Sequence, residues 1–313
     1  MDIVNQKISR SRGAIAFGTD SYQQIFSQYR SSFTVVTGEL LYEDSVSFPT
    51  KHAIDSCWTT GNIYRLDGET VLKTDFNNDV LSSLSSDSSN SLSVIQNSVP
   101  IEDENPSDDE CLGCWIVSGT SIIKTDNDLS VLFEITNLDS PTLICSNHFS
   151  EGCFVVNEGV GIYEFSSDGD LVGVSTFSNL EIVNILSNSL GELFVLTETE
   201  LYKMSNTDGV ISIDVTYNLS SHLSSGMVVG SFDIDTSSDT IFLAAGKDDN
   251  IQILKFSSSG SLLDYSTVTG DFPYLLKVSQ HPSSNSFFII SDDSKEDSVN
   301  SSSSSNSSSS SSS

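Results

Sequence analysis

"CFVVNEGVGIYEFSSDGDLVGVST", Cys153 to Thr176, is the stretch that decides the fold. Apolar and polar residues alternate in three short runs, and each run stops at a cluster of Gly, Asp, Asn or Ser. That pattern reads as three β-strands joined by tight turns. Asp168-Gly169 suits the last hairpin, because Gly accepts a positive φ without a Cβ clash. A fourth run, "TLICS" (Thr142–Ser146), lies just upstream, beyond the polar loop "NHFSEG". The unit therefore reads as strand A at Thr142–Ser146, B at Cys153–Asn157, C at Gly161–Ser166 and D at Leu171–Thr176.

The same phrase recurs along the chain. An aromatic opens a short apolar run at Trp58, Trp115, Phe154, Phe194, Phe242 and Phe288, in steps of 57, 39, 40, 48 and 46 residues. A period of roughly 40 to 50 residues is that of a four-stranded propeller blade. One aromatic per unit, always on strand B, reads as packing between blades. Further C–D turns are expected at Asp67-Gly68, Asn127-Asp128, Asp208-Gly209 and Ser259-Gly260. The pairs Phe48–Trp58, Ile144–Phe154, Phe232–Phe242 and Val278–Phe288 each keep strand A ten residues ahead of strand B.

Both ends of the chain carry fragments of the same unit. Ala14–Phe48 aligns with Ile241–Ser279, so the N-terminus offers the late strands of a blade. Tyr274–Ser279 and Phe287–Ser291 offer an A and a B strand at the other end. Joining them predicts an all-β, six-bladed β-propeller of four-stranded antiparallel blades, closed by N- and C-terminal strands. A seven-bladed or incomplete ring is the alternative, since "AIAFG" and "FFIIS" both read as strand B. The domain division is an N-terminal segment (1–12), the propeller (13–292) and a Ser-rich tail (293–313). The tail has too few apolar residues to order itself.

"CWIVSGTSIIKTDND" and "CFVVNEGVGIYEFSSDGDL" resemble the repeats of NHL-type β-propellers over roughly residues 13–291. The resemblance implies a propeller architecture. The Asp that often closes strand B in that family, and the Arg or Lys that opens strand C, are mostly missing, so no family activity carries over. The Cys-Trp openings and the poly-Ser tract resemble, in style, proteins of tailed phages and environmental bacteria.

The 313 residues hold 43 acidic and 13 basic side chains, a formal net charge of −30. Phosphate binding needs Lys and Arg clusters, so this balance argues against nucleic acid and anionic membranes as partners. It favours cations and basic partners. No run approaches the roughly 18 apolar residues that span a bilayer, and the N-terminus has no signal-peptide pattern. Five unevenly placed cysteines do not suggest a disulfide framework. The expected setting is a virion or extracellular surface.

Three histidines, His52, His148 and His281, fall in A–B loops, which a propeller gathers on one face. The loop "PIEDENPSDDE", with Asp108 and Asp109, joins them there. Imidazole with carboxylate suits Zn or Mn, and carboxylates alone suit Ca. The competing reading is a set of hydrated loops, because the three histidines belong to well-separated blades. "CLGC" (Cys111–Cys114), with Cys145, His148 and Cys153, offers soft ligands for zinc. Against that, Cys57, Cys114 and Cys153 share one repeat position, as small buried residues at the start of strand B would. A Cys145–Cys153 bridge across the A–B hairpin is a further alternative. No cofactor is expected, Ca or Zn being the exception.

No Gly-x-Ser-x-Gly elbow, phosphate loop or His-Glu-x-x-His is present. Asp233 and Asp235 in "FDIDT" share one face of a strand, and solvation or hydrogen bonding accounts for them. Asn218 opens the glycosylation triplet "NLS". The expectation is a non-catalytic scaffold for recognition or assembly, binding protein or glycan through its face loops. It could equally be built into a larger particle. The alternative is a metal-dependent hydrolase or lyase working at the propeller pore.

Overall fold

A computed structural model describes the chain from residue 54 to 291, apart from residues 58–61, 68, 76–78, 87, 97–110, 178–179, 189, 236–238, 248–249, 270–272 and 279–286. Five four-stranded antiparallel meanders follow one another. Blade I is β1 (Ile54–Ser56), β2 (Ile63–Asp67), β3 (Thr70–Thr74) and β4 (Val80–Ser85). Blade II is β5 (Ser89–Ile95), β6 (Gly113–Ser118), β7 (Ser121–Thr125) and β8 (Val131–Ile135). Blade III is β9 (Pro141–Ser146), β10 (Cys153–Asn157), β11 (Gly161–Phe165) and β12 (Leu171–Thr176), within a residue of the strands cut from the sequence. Blade IV is β13 (Ile182–Ser187), β14 (Leu193–Thr197), β15 (Glu200–Thr207) and β16 (Val210–Asn218). Blade V is β17 (Val228–Asp235), β18 (Thr240–Lys247), β19 (Asn250–Phe256) and β20 (Leu262–Thr269). A two-stranded sheet, β21 (Pro273–Val278) and β22 (Phe287–Ser291), follows and packs β21 against β17.

The first strand of each blade lies innermost. The Val94 N–H donates to Asp55 Oδ2 at 2.8 Å, and the Ser146 N–H to Ser93 Oγ at 3.0 Å. The Ser187 hydroxyl continues the chain of bonds by donating to the Ser146 carbonyl. Small hydroxyl side chains let neighbouring strands approach where the blades converge, and they satisfy the backbone groups buried there. Apolar clusters fill the wedges between consecutive sheets. Tyr64, Leu66, Val94 and Ile116 lie between blades I and II, and Ile95, Trp115, Val117 and Val155 between II and III. Phe154, Ile162, Ile185 and Val195 join III to IV, while Phe194, Tyr217, Phe232 and Phe256 join IV to V. No single blade could bury these residues alone, which makes the stack cooperative.

Two sequence expectations are corrected. The six-bladed ring is replaced by five four-stranded blades plus the β21–β22 pair. The strands assigned to Ala14–Phe48 lie outside the described residues, and among the described residues the repeat at the far end supplies two strands. The frame of blade I also differs. Its first strand is Ile54–Ser56, whereas Phe48, expected on strand A, lies outside the described residues, and Asp67 pairs with Thr70 in a B–C hairpin, not a C–D one. "CWTT" imitates "CWIV" at its start, but only the latter continues as an apolar run. Tyr64, opposite Lys73, occupies the aromatic position of blade I. Trp58 lies outside the described residues, and Phe288 sits on β22.

The cysteines also depart from expectation. Cys57 and Cys111 form a disulfide with Cα atoms 5.8 Å apart, tying the end of β1 to the segment entering β6. Cys114, Cys145 and Cys153 are free thiols in the core. The CxxC therefore divides into one half-cystine and one buried thiol. No helix among the described residues is long and apolar enough to cross a membrane.

Candidate functional site

In a four-stranded meander the A–B and C–D connections emerge at the same end, so all of them share one face of the propeller. A repeated latch organises this face. Each strand-B aromatic stands opposite a charged residue of strand C: Tyr64–Lys73, Trp115–Lys124, Phe154–Glu164, Phe194–Lys203 and Phe242–Lys255. The Lys124 and Lys255 ammonium groups each lie 5.3 Å from the ring centroid of their partner, within cation–π range.

The latch then reaches the C–D turn of the next blade. Lys73 Nζ donates to the Asn127 carbonyl at 2.9 Å, and Lys124 Nζ to the Ser167 carbonyl at 2.8 Å. Blade III inverts the polarity, for Glu164 accepts from Asn206, near the end of β15 beside the next turn, and from Asn147 of its own hairpin. In blade IV, Lys203 pairs instead with Glu192 at 2.7 Å. There the Tyr217 hydroxyl makes the bond to the next turn, donating to the Ser258 carbonyl at 2.8 Å. Lys73 and Lys124 are buried, so their charge is spent inside the fold. Asp126, Asp128, Asp168, Asp170 and Asp208 stay in or beside the turns, leaving the face acidic.

The A–B hairpins of blades III and IV nest together. Asn147 Oδ1 accepts the N–H groups of Phe149 (3.1 Å) and Ser150 (3.3 Å). Asn188 Oδ1 does the same for Leu190 (3.1 Å) and Glu192 (2.9 Å). These Asx-type bonds fix the loops as firmly as a backbone turn. Gly191, at φ 77°, must be glycine, because a Cβ there would lie 2.9 Å from Asn147 Oδ1 and 3.0 Å from Phe149 Cβ. Neighbouring hairpins extend the lock: Trp115 Nε1 donates to the Glu151 carbonyl at 3.3 Å, and Asn188 Nδ2 to Asp239 Oδ1 at 3.2 Å.

Two large apolar side chains crown this rigid frame. Phe149 is 71% exposed and Leu190 is 61% exposed, each two residues beyond its capping Asn. Phe149 Cβ approaches Gly191, the residue after Leu190, and Glu151, Glu192 and Asp239 belong to the same row of A–B hairpins, Glu192 being paired with Lys203. An ordered apolar pair on an acidic rim is a docking surface in miniature.

Of the residues considered as metal ligands, His52, His281, Asp108 and Asp109 lie outside the described residues. His148 lies in the A–B hairpin of blade III, its N–H 3.4 Å from Ser187 Oγ. Among the described residues no three His, Cys, Asp or Glu side chains gather as a metal site requires. Asp233 and Asp235 are buried on β17. His222 stacks edge-on to Phe256, centroids 5.7 Å apart. Burial pushes the Cys114 thiol up to about 12 and raises Cys145 and Cys153 as well, so none is a ready nucleophile. Sequence reasoning missed the latch and the Phe149–Leu190 pair. The latch has a signal, since Lys follows the aromatic by nine residues in Tyr64–Lys73, Trp115–Lys124 and Phe194–Lys203. For the pair, the signal is a lone apolar residue two positions after Ser-Asn.

The class defined by this geometry is the β-propeller built of four-stranded antiparallel blades, and comparison with solved structures agrees. BBS1N, solved in complex with ARL6DN, matches at 10% identity over 77% of this chain and 75% of its own, with a TM-score of 0.56. The Neurospora crassa Pan2 WD40 domain matches at 7% identity over 77% and 72%, also with a TM-score of 0.56. Identities this low show the fold alone. No protein-family model and no curated protein matches the sequence.

Proposed function

We propose that this chain is a non-catalytic recognition scaffold that binds a protein partner through the hairpin face of blades III to V. The observation that carries this reading is the Phe149–Leu190 pair. Two apolar side chains are held in water by hairpins whose backbone is fixed by buried asparagines, which costs stability unless something covers them. Pre-ordering lowers the entropy lost on association. BBS1N, which shares the fold, was solved with a protein partner, which agrees with this use of a propeller. The acidic rim selects for basic surroundings on the partner.

The test compares wild type with the double variant Phe149→Glu, Leu190→Glu in quantitative capture from extracts of the source organism. Both side chains are exposed, so the fold should persist, as circular dichroism would verify. A protein captured by wild type and reduced at least about tenfold with the variant supports the face. Equal capture by both would remove it. Selective binding on a glycan array, abolished by the same variant, would replace protein by glycan as the ligand.

A second reading concerns location. The Cys57–Cys111 disulfide favours an oxidising compartment or an exterior surface, as the composition also suggested. Thiol counting on protein isolated from its source, denatured without reductant, tests it. Three reactive thiols agree with this reading, and five would refute it.

A further inference from the structure

The outer strand of every blade presents the same anomaly. β4, β8, β12, β16 and β20 contain neither Lys nor Arg nor Pro. Lysines and prolines are common guards against a sheet edge pairing with another chain, as are β-bulges, and each of these strands carries one bulge. Beside the bulges the edges bear exposed apolar residues: Val80 and Leu81, Val131 and Leu132, Leu171 and Val172, Val210 and Ile213, Leu263 and Tyr265, all 44–62% exposed. A single exposed leucine needs no explanation, but an apolar pair on five successive edges does.

Each edge also carries a carboxylate: Asp79 just before β4, Glu134 on β8, Asp170 just before β12, Asp214 on β16 and Asp264 on β20. Lys73 and Lys124 are buried and point toward the next blade's turn, so they do not neutralise the rim, whereas Lys255 stands opposite Asp264 of β20. We infer that these outer edges take up an extended segment of a partner protein in which apolar residues alternate with Lys or Arg, by strand addition. Backbone hydrogen bonds would supply affinity, and the alternation would place apolar side chains on one face of the added strand and cations on the other. Charge decides against a second copy of this chain as the occupant, since each carries a net −30. β12 is the least available edge, because its Val174 N–H already donates to the Gly209 carbonyl of blade IV at 3.2 Å. β8 and β20 are the leading sites. This inference is separate from the hairpin face, which lies at one end of the strands rather than along their outer edge.

The experiment is amide hydrogen exchange on the full chain with a synthetic ten-residue peptide of alternating Val and Lys. Two controls have equal length: one replaces alternate Val by Pro, keeping the charge, and one replaces Lys by Glu. The expected result is that amides of β8 and β20 slow by about tenfold with the Val-Lys peptide, less so as salt is raised. Neither control should protect them. Leu132→Lys with Leu263→Lys, both at exposed positions, should abolish the effect, whereas Phe149→Glu with Leu190→Glu should leave it intact. Absence of protection would overturn the inference, and so would equal protection by the Pro peptide, which would mean adsorption by charge alone. Concentration-dependent dimerisation that protects the same strands without peptide would overturn it too, making a second copy the occupant.

Discussion

Replacing Lys124 by Met tests whether the inter-blade latch holds the blades together. Methionine keeps most of the apolar stem, so the change removes chiefly the charge and its bonds. Lys124 is buried, and the variant loses the bond to the Ser167 carbonyl at 2.8 Å and the approaches to the Trp115 ring at 5.3 Å and the Phe133 ring at 5.9 Å. A hydrogen bond from a charged donor contributes about 1.5–3 kcal/mol, and a partly desolvated cation–π contact about 1–2 kcal/mol. Against these stands the cost of burying an ammonium group, which the variant escapes and which offsets a kcal/mol or more. The net expectation is destabilisation by about 2 kcal/mol. In a chain of this length that lowers Tm by about 4–8 °C. Stacked blades need not unfold in one step, so the assay pairs urea denaturation with exchange at amides of the Ser166–Asp170 turn, which should open first. Lys247→Met is the control: its ammonium donates to the Ser225 carbonyl at 3.0 Å on the exposed surface, and its loss should stay within about 0.5 kcal/mol. If Lys124→Met matched wild type, or if the control were equally damaging, the latch would be a by-product of packing.

Three further outcomes are expected. Gly152→Ala would drive a Cβ to 2.1 Å from the Phe165 carbonyl oxygen, so it should cost about 3 kcal/mol or prevent folding, read by circular dichroism and soluble yield. Reducing the Cys57–Cys111 bond, whose partners are 54 residues apart, should lower the urea midpoint by the equivalent of about 2–4 kcal/mol. Cys57→Ser with Cys111→Ser should become insensitive to reductant. Stability should also fall as pH rises above 9. The Cys114 thiol loses its proton near 9.0 when unfolded and near 12 when folded. Its contribution is therefore complete below pH 9 and lost as pH climbs toward 12, at about 1.4 kcal/mol per pH unit. Cys145 and Cys153 act in the same sense. Cys114→Ala should make the alkaline slope shallower, as urea titrations across that range would show.

In blade III, strand boundaries and turn chemistry were legible from the sequence alone, because both are local. Alternation along Leu171–Thr176 and the Asp168-Gly169 turn specify a hairpin whatever lies around it, and the same holds for Asn127-Asp128 and Asp208-Gly209. Tertiary structure decided what depends on neighbours distant in sequence. Five four-stranded blades among the described residues where six were expected, Tyr64 as an aromatic of blade I, and the Cys57–Cys111 pairing all follow from which sheet lies against which. So do the burial of Lys124 and the exposure of Phe149: a lysine in a strand reads as surface, and a phenylalanine reads as core, until the next blade supplies a carbonyl for one and leaves the other uncovered.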